Sequence, residues 1–331
     1  MPELYAIKKL NAKAMKNDLQ ARTFQVDPKA LKPLFKTNPL RHFSAILLDW
    51  GLIAATILLC INYFNPAMYI LAVILIGARM HALAILMHDA THFRFLKNRK
   101  WNDRLTNWLT MYPIFTSIEV YRQNHLRHHQ HLNTEDDPDW VAKLGKRAFT
   151  FPKTKREFLL TVLSYFTLVQ GLKDAIWFLK RFQAPQKGSG ASGGTDFSKL
   201  IFNFLLIAVL TLGGLWKYYL LFWVIPYLST FFMFQYIRSV AEHFGDLAYD
   251  HLLTSTRSVK ANALERFILA PHQVGYHLEH HLYPGVPFYH LPKLHNLLMQ
   301  ETDYEEKAHI TQGYVMGLWN ELGDPRLLQL T

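Results

Sequence analysis

The chain has 331 residues, 50% of them hydrophobic, with one cysteine and a formal net charge of +11 at pH 7. A single cysteine excludes an intrachain disulfide and any Fe–S cluster held by four thiolates. The charge would suit nucleic acid, but the basic residues flank apolar runs. Anionic lipid headgroups and the positive-inside bias account for them, so nucleic-acid binding is set aside.

Residues 1–42 form a polar, basic arm (Lys8, Lys9, Lys13, Lys16, Lys29, Lys32, Lys36) without a signal-peptide pattern, read as cytosolic. A membrane-spanning helix needs about 20 mostly apolar residues. The first such run covers about 46–64, with Asp49 near its entry. The second, about 67–87, follows the short hairpin Asn62-Tyr63-Phe64-Asn65-Pro66. Arg79 and His81 lie deep in it, where ionisable groups are functional suspects. Residues 158–179 are also apolar, but Gln170, Lys173 and Asp174 are costly at mid-bilayer; an amphipathic surface helix is the better reading. Gly188-Ser189-Gly190-Ala191-Ser192-Gly193 fits GxGxxG, yet no strand precedes it, so 184–196 reads as a flexible linker. The third run covers about 200–215 and the fourth about 218–240, after Gly213-Gly214. Residues 301–331 read as a cytosolic tail. Charge concentrates in the arm, the middle loop and the C-terminal region, which places these parts and both termini in the cytosol. The expected fold is an all-α integral membrane protein with four spans and a cytosolic helical cap, its membrane domain running over 43–300.

Three histidine groups stand out: His88-Asp89-Ala90-Thr91-His92, His125-Leu126-Arg127-His128-His129 and His277-Leu278-Glu279-His280-His281. Residues i, i+3 and i+4 of a helix share a face, so each group offers one face of ring nitrogens. The topology puts all three on one side of the membrane. Eight imidazoles exceed the four ligands of one zinc and suit two metals with open positions. Spacing does not choose among Fe, Cu, Zn and Ni. His42, His251, His290, His295 and His309 read as satisfied core or interfacial residues. His131 and His272 adjoin the groups and read either as support for a ligand or as substrate contacts. A metal-bound His usually donates its other N–H to a carboxylate or carbonyl, which nominates Asp89, Glu242, Asp246 and Glu279, with Asp136 and Asp137 further off. Helix capping and ordinary solvated charge are the alternatives. Asp137-Pro138 in particular fits a cap followed by a first-position proline.

The boxes, the run His125–His131 followed by Asp136-Asp137-Pro138-Asp139-Trp140, and the run Ala270–Pro284 resemble the membrane fatty acid desaturase/hydroxylase superfamily, bacterial-type members above all. The similarity covers roughly residues 45–300. It implies a centre of two non-heme iron ions and adds His243, in Ala241-Glu242-His243-Phe244-Gly245, as a further ligand. Some members carry an Asn one turn earlier that reaches a metal through water; Ser239 stands there in this chain. The resemblance implies O2-dependent oxidation of a lipid acyl chain, desaturation first. Hydroxylation, carotenoid-type ketolation and decarboxylation to a terminal alkene are the alternatives. It also implies a bacterial inner membrane and electrons from a separate ferredoxin or cytochrome b5, since the chain carries no HPGG heme motif. A metal transporter or a bis-histidine heme protein is the reading from another class; a transporter would set ligands at mid-membrane, often with inverted repeats, which this sequence does not show.

Overall fold

The computed structural model describes residues 26–183, 197–245, 247–249 and 251–322. Most of the basic arm, the linker 184–196, Asp246 and the end of the tail lie outside the described residues. Helices dominate: α1 Pro39–Asn62, α2 Pro66–Thr91, α3 Arg99–Thr106, α4 Ile118–Gln130, α5 Lys155–Ser164, α6 Val169–Gln183, α7 Phe197–Leu212, α8 Trp216–His243, α9 His277–Leu282 and α10 Leu291–Leu298, with shorter turns between them. Two short parallel strands, β1 Ser258–Val259 and β2 Ile310–Thr311, are an addition to the expected all-α fold.

Helices α1 and α2 begin alike. Asn38 and Asn65 accept the backbone N–H of Arg41 and Met68, and a proline follows each cap where its missing N–H costs nothing. Helix α8 contains Pro226, and π-helical turns at 220–224 and 227–231 flank it. Such turns take up the hydrogen bond that proline removes.

Three helices, α1, α2 and α8, are long and apolar enough to cross a bilayer. The third expected span falls on α7, which has 16 residues as described. At 1.5 Å per residue that is about 24 Å, short of a hydrocarbon core of about 30 Å. The surface helix expected over 158–179 is two helices, α5 and α6, bent by 83° and together apolar enough for a broken span. The bend sits at Leu168, whose φ is 63°, and no glycine or proline marks it in the sequence. Two of the polar groups that argued against a span, Gln170 and Asp174, are internally matched, while Lys173 is exposed. Asp174 accepts Tyr165 Oη at 2.9 Å and Gln170 Nε2 at 3.1 Å.

Contacts sort the chain into two units. The first comprises 38–123 and 162–236. Its centre is α2, whose apolar window is 78% buried against 22% for α1. Gly77 of α2 leaves no room for a Cβ against Thr230 of α8, and Thr230 Oγ1 donates to Val73 O at 2.6 Å. Small residues permit such close helix approach in membranes. Trp50 and Trp223 stack with centroids 5.4 Å apart. Asp49 and Arg79 form a buried ion pair at 3.1 Å.

The second unit contains, among the described residues, 26–37, 124–161 and 237–322. Its core gathers Leu34, Leu253, Leu278, Leu282, Leu294 and Leu298. The tail is built into it: Tyr304 Oη donates to Glu279 at 2.8 Å, and Glu321 pairs with the buried Arg257.

Candidate metal centre

Helix geometry decides how the boxes are divided. At about 100° per residue, positions i and i+4 differ by about 40°, whereas i+3 lies about 60° to the other side of i. His125 and His129 of α4 therefore form a pair, with His128 apart. In α9 His277 and His281 pair, with His280 apart. The structure follows this division and corrects the expectation of one shared face per box.

One cluster holds His128, His243, His277 and His281, their ligand atoms all within 4.8 Å of one another. His277 Nε2 lies 2.9 Å from His243 Nε2 and 3.0 Å from His281 Nε2. The second cluster joins His129 Nε2 to His125 Nε2 at 2.9 Å and to His280 Nε2 at 3.0 Å. Each box thus gives its pair to one cluster and its single residue to the other. His243, the last residue of α8, completes the four-ring cluster.

Mutual hydrogen bonds do not explain this packing. A neutral imidazole has one N–H and one lone pair, so a proton bridges one pair of nitrogens and leaves the others facing lone pair to lone pair. A cation is the partner such a set satisfies. Tautomer control agrees. His128 Nδ1 stands 2.8 Å from Asp137 Oδ2, a carboxylate that is 0% exposed. His277 Nδ1 stands 3.4 Å from Glu242 Oε1, which Arg238 Nε holds at 2.6 Å. A proton kept on Nδ1 leaves Nε2 as the ligand atom. Burial, then the neighbouring imidazoles, pushes His277 well below the ordinary histidine range, so it stays neutral as a ligand must.

His88 and His92 close α2 in the other unit, their centroids 5.9 Å apart. Burial, reinforced by Arg94 and Arg122, lowers the pKa of His92 to about 3.

The expected carboxylate partners divide. Glu242 faces a box imidazole. Asp89 faces His42 Nδ1 at 3.4 Å instead, and His42 stacks on Phe95. Glu279 sits two residues from His277, on the far side of α9, and accepts His295 Nδ1 at 2.5 Å, Tyr304 Oη and Ser258 Oγ. It anchors α9 from behind. Asp246 lies outside the described residues. Asp137 does both things the sequence allowed: its other oxygen accepts Asp139 N–H and Trp140 N–H at the head of the helix Pro138–Val141. Its bond to His128 could have been read from a carboxylate one loop beyond the box. Among the described residues, His131 and His272 join neither cluster.

A family model described as fatty acid desaturase matches residues 64–314. Dihydrorhizobitoxine desaturase of Bradyrhizobium elkanii is 32% identical over 291 residues, 84% of this chain and 81% of the relative. Zeaxanthin 4-ketolase of Chlamydomonas reinhardtii is 29% identical over 64% of this chain and 40% of its own length. An sn-1 acyl-lipid omega-3 desaturase (ferredoxin) of Nostoc is 24% identical over 84% of this chain and 77% of the relative. With three helices fit to span a bilayer and a family match over most of its length, the chain is a membrane protein and an oxidoreductase by kinship, and it belongs to the fatty acid desaturase family.

Proposed function

We propose that the protein is a di-iron enzyme that removes two hydrogens from a lipid acyl chain to form a C=C bond, at the expense of O2. The observation that carries this reading is the convergence of seven imidazoles into two clusters drawn from interleaved boxes. The proposed ligands are His128, His243, His277 and His281 for one ion and His125, His129 and His280 for the other, with His88 and His92 as further ligands of the centre. The place of His88 and His92 in this set rests on their spacing and on the family. Iron bound there supplies O2 activation, which an unactivated C–H bond requires because acid–base chemistry does not reach it. Asp137 keeps Nε2 of His128 unprotonated and aimed, and the Glu242 carboxylate stands 3.4 Å from His277 Nδ1. Burial keeps His277 neutral. The balance needs a donor: O2 takes two electrons from the substrate and two from outside, with two protons, and leaves as two waters. A separate ferredoxin or cytochrome b5-type protein is the proposed donor, and a basic cytosolic face would steer an acidic one. The proposed setting is a multi-pass position in a bacterial inner membrane with the site on the cytosolic side.

A second reading, oxygen insertion, draws on the similarity to a protein named as a ketolase. Mass spectrometry of lipids from a host expressing the chain with iron and a ferredoxin separates the two. His277→Ala with His281→Ala is the control. A product lighter by two hydrogens and absent from the control supports desaturation. A product heavier by one oxygen moves the assignment to hydroxylation or ketolation. Lipids identical to the control in a preparation that carries iron and accepts electrons count against an acyl substrate.

A further inference from the structure

The carbonyls that end α2 are met one by one. Phe93 N–H donates to Ala90 O at 2.9 Å, with Phe93 in the left-handed region at φ 57°. Asn102 Nδ2 also reaches Ala90 O at 2.9 Å, and Asn102 Oδ1 accepts Leu96 N–H. Arg94 Nε takes His92 O at 2.7 Å. Thr91 O goes to Arg122 Nε at 2.9 Å. The rest of that guanidinium grips Asp103 of α3 with two bonds, at 2.8 and 2.6 Å. Its face covers the Phe93 ring at 4.2 Å, and Arg99 covers the same ring at 4.8 Å.

A helix normally leaves its last carbonyls to water, and its end frays. Here the final turn carries the first histidine box, and its end is fixed by side chains from α3 and α4. Arg122 lies three residues before His125 on α4. The loop after His92 uses a left-handed residue that is not glycine, a conformation that persists only where surroundings over-determine it. Two arginines on one aromatic ring supply that constraint here.

We propose that Arg122 is a positioning residue for the first histidine box: its guanidinium, locked by Asp103 and stacked on Phe93, stops α2 at His92 and fixes the aim of His88 and His92. The inference rests on the proposed metal role of those two histidines. The planar fork is essential, because one lysine ammonium does not serve a carbonyl and both carboxylate oxygens at once.

Two readouts on purified full-length protein test it. In metal-free protein, hydrogen exchange over residues 90–96 is compared for wild type, Arg122→Lys and Asp103→Asn. In the same proteins, cobalt(II) titration followed by visible absorption gives affinity and coordination. The expected result for Arg122→Lys is exchange at least about tenfold faster and one cobalt site weakened by about tenfold or more, in the range found for groups that orient metal ligands. Asp103→Asn keeps the bond to Thr91 O and shows the same changes, smaller; it carries the test if Arg122→Lys does not fold. Unchanged exchange and an unchanged cobalt spectrum in a folded variant overturn the proposal. Weaker cobalt binding with unchanged exchange also overturns it, since Arg122 would then act through charge. Wild type that binds no cobalt sinks the metal reading itself, and the exchange data then leave Arg122 a purely structural part.

Discussion

His128 Nδ1 and Asp137 Oδ2 stand 2.8 Å apart, and the same carboxylate caps the helix Pro138–Val141. One buried group thereby ties the tautomer of a box imidazole to the start of the next helix. Asp137→Asn separates the two roles, because asparagine caps as well as aspartate but does not hold an imidazole N–H as strongly. Iron bound per chain, measured by elemental analysis after dialysis, is expected to fall, with about 10- to 100-fold weaker affinity at one site. Thermal stability should change little.

Glu279 predicts the opposite pattern. Its carboxylate takes His295, Tyr304 and Ser258 on the far side of α9. Glu279→Ala removes the acceptor these buried groups share and should cost about 3–5 kcal/mol, the range for breaking a buried pair. Denaturant unfolding in detergent reads the loss.

Gly77 and Gly51 form a matched pair of tests. A methyl at Gly77 collides with Thr230, whereas one at Gly51 meets open space. Gly77→Ala should destabilise by ~1–3 kcal/mol. Gly51→Ala should be neutral or stabilising by up to about 1 kcal/mol. Midpoints of thermal unfolding for the two variants decide it.

Asp49 is 0% exposed and its partner Arg79 5%. Asp49→Ala removes the carboxylate that meets the buried Arg79 guanidinium and should cost about 3–5 kcal/mol. Adding Arg79→Met should recover most of that. A double-mutant cycle on detergent-solubilised protein measures the coupling.

The metal-free protein should lose stability in acid. Burial holds His92 at about 3 and His277 well below its ordinary value, so both bind a proton more readily unfolded. Their contribution is complete above about pH 6.5, the unfolded value, and drains away as pH falls toward the folded values. Unfolding midpoints of chelated protein from pH 7.5 to 5 should decline. Metal-loaded protein should resist until the ions leave.

Much of the centre was legible because its signal is local. HxxHH on a helix dictates ring directions, although the sequence reading put each box on one face and the angular split of the two HxxHH boxes into a pair and a single residue came with the structure. Cap chemistry was equally local, as Asn38-Pro39 and Asn65-Pro66 show. What escaped the sequence depends on partners far along the chain. Leu168 bends the backbone without glycine or proline, and Asp174 finds Tyr165 and Gln170 only after that bend. His295 looked like an ordinary core histidine, and so it is, but its partner Glu279 comes from inside a histidine box. Arg122 and Asp103 carry no sequence signature, since the carbonyl they serve exists only as a helix end.

The interleaving of α4 and α9 makes metal uptake a test of assembly. A lone box offers two imidazoles on one side and one on the other, too few to hold an ion firmly. Four rings meet only after α9 has docked against α4 and the end of α8. On the proposed ligand roles, a partly folded chain has little to offer stray metal, and the ions bind last, sealing a structure that has already found its partners.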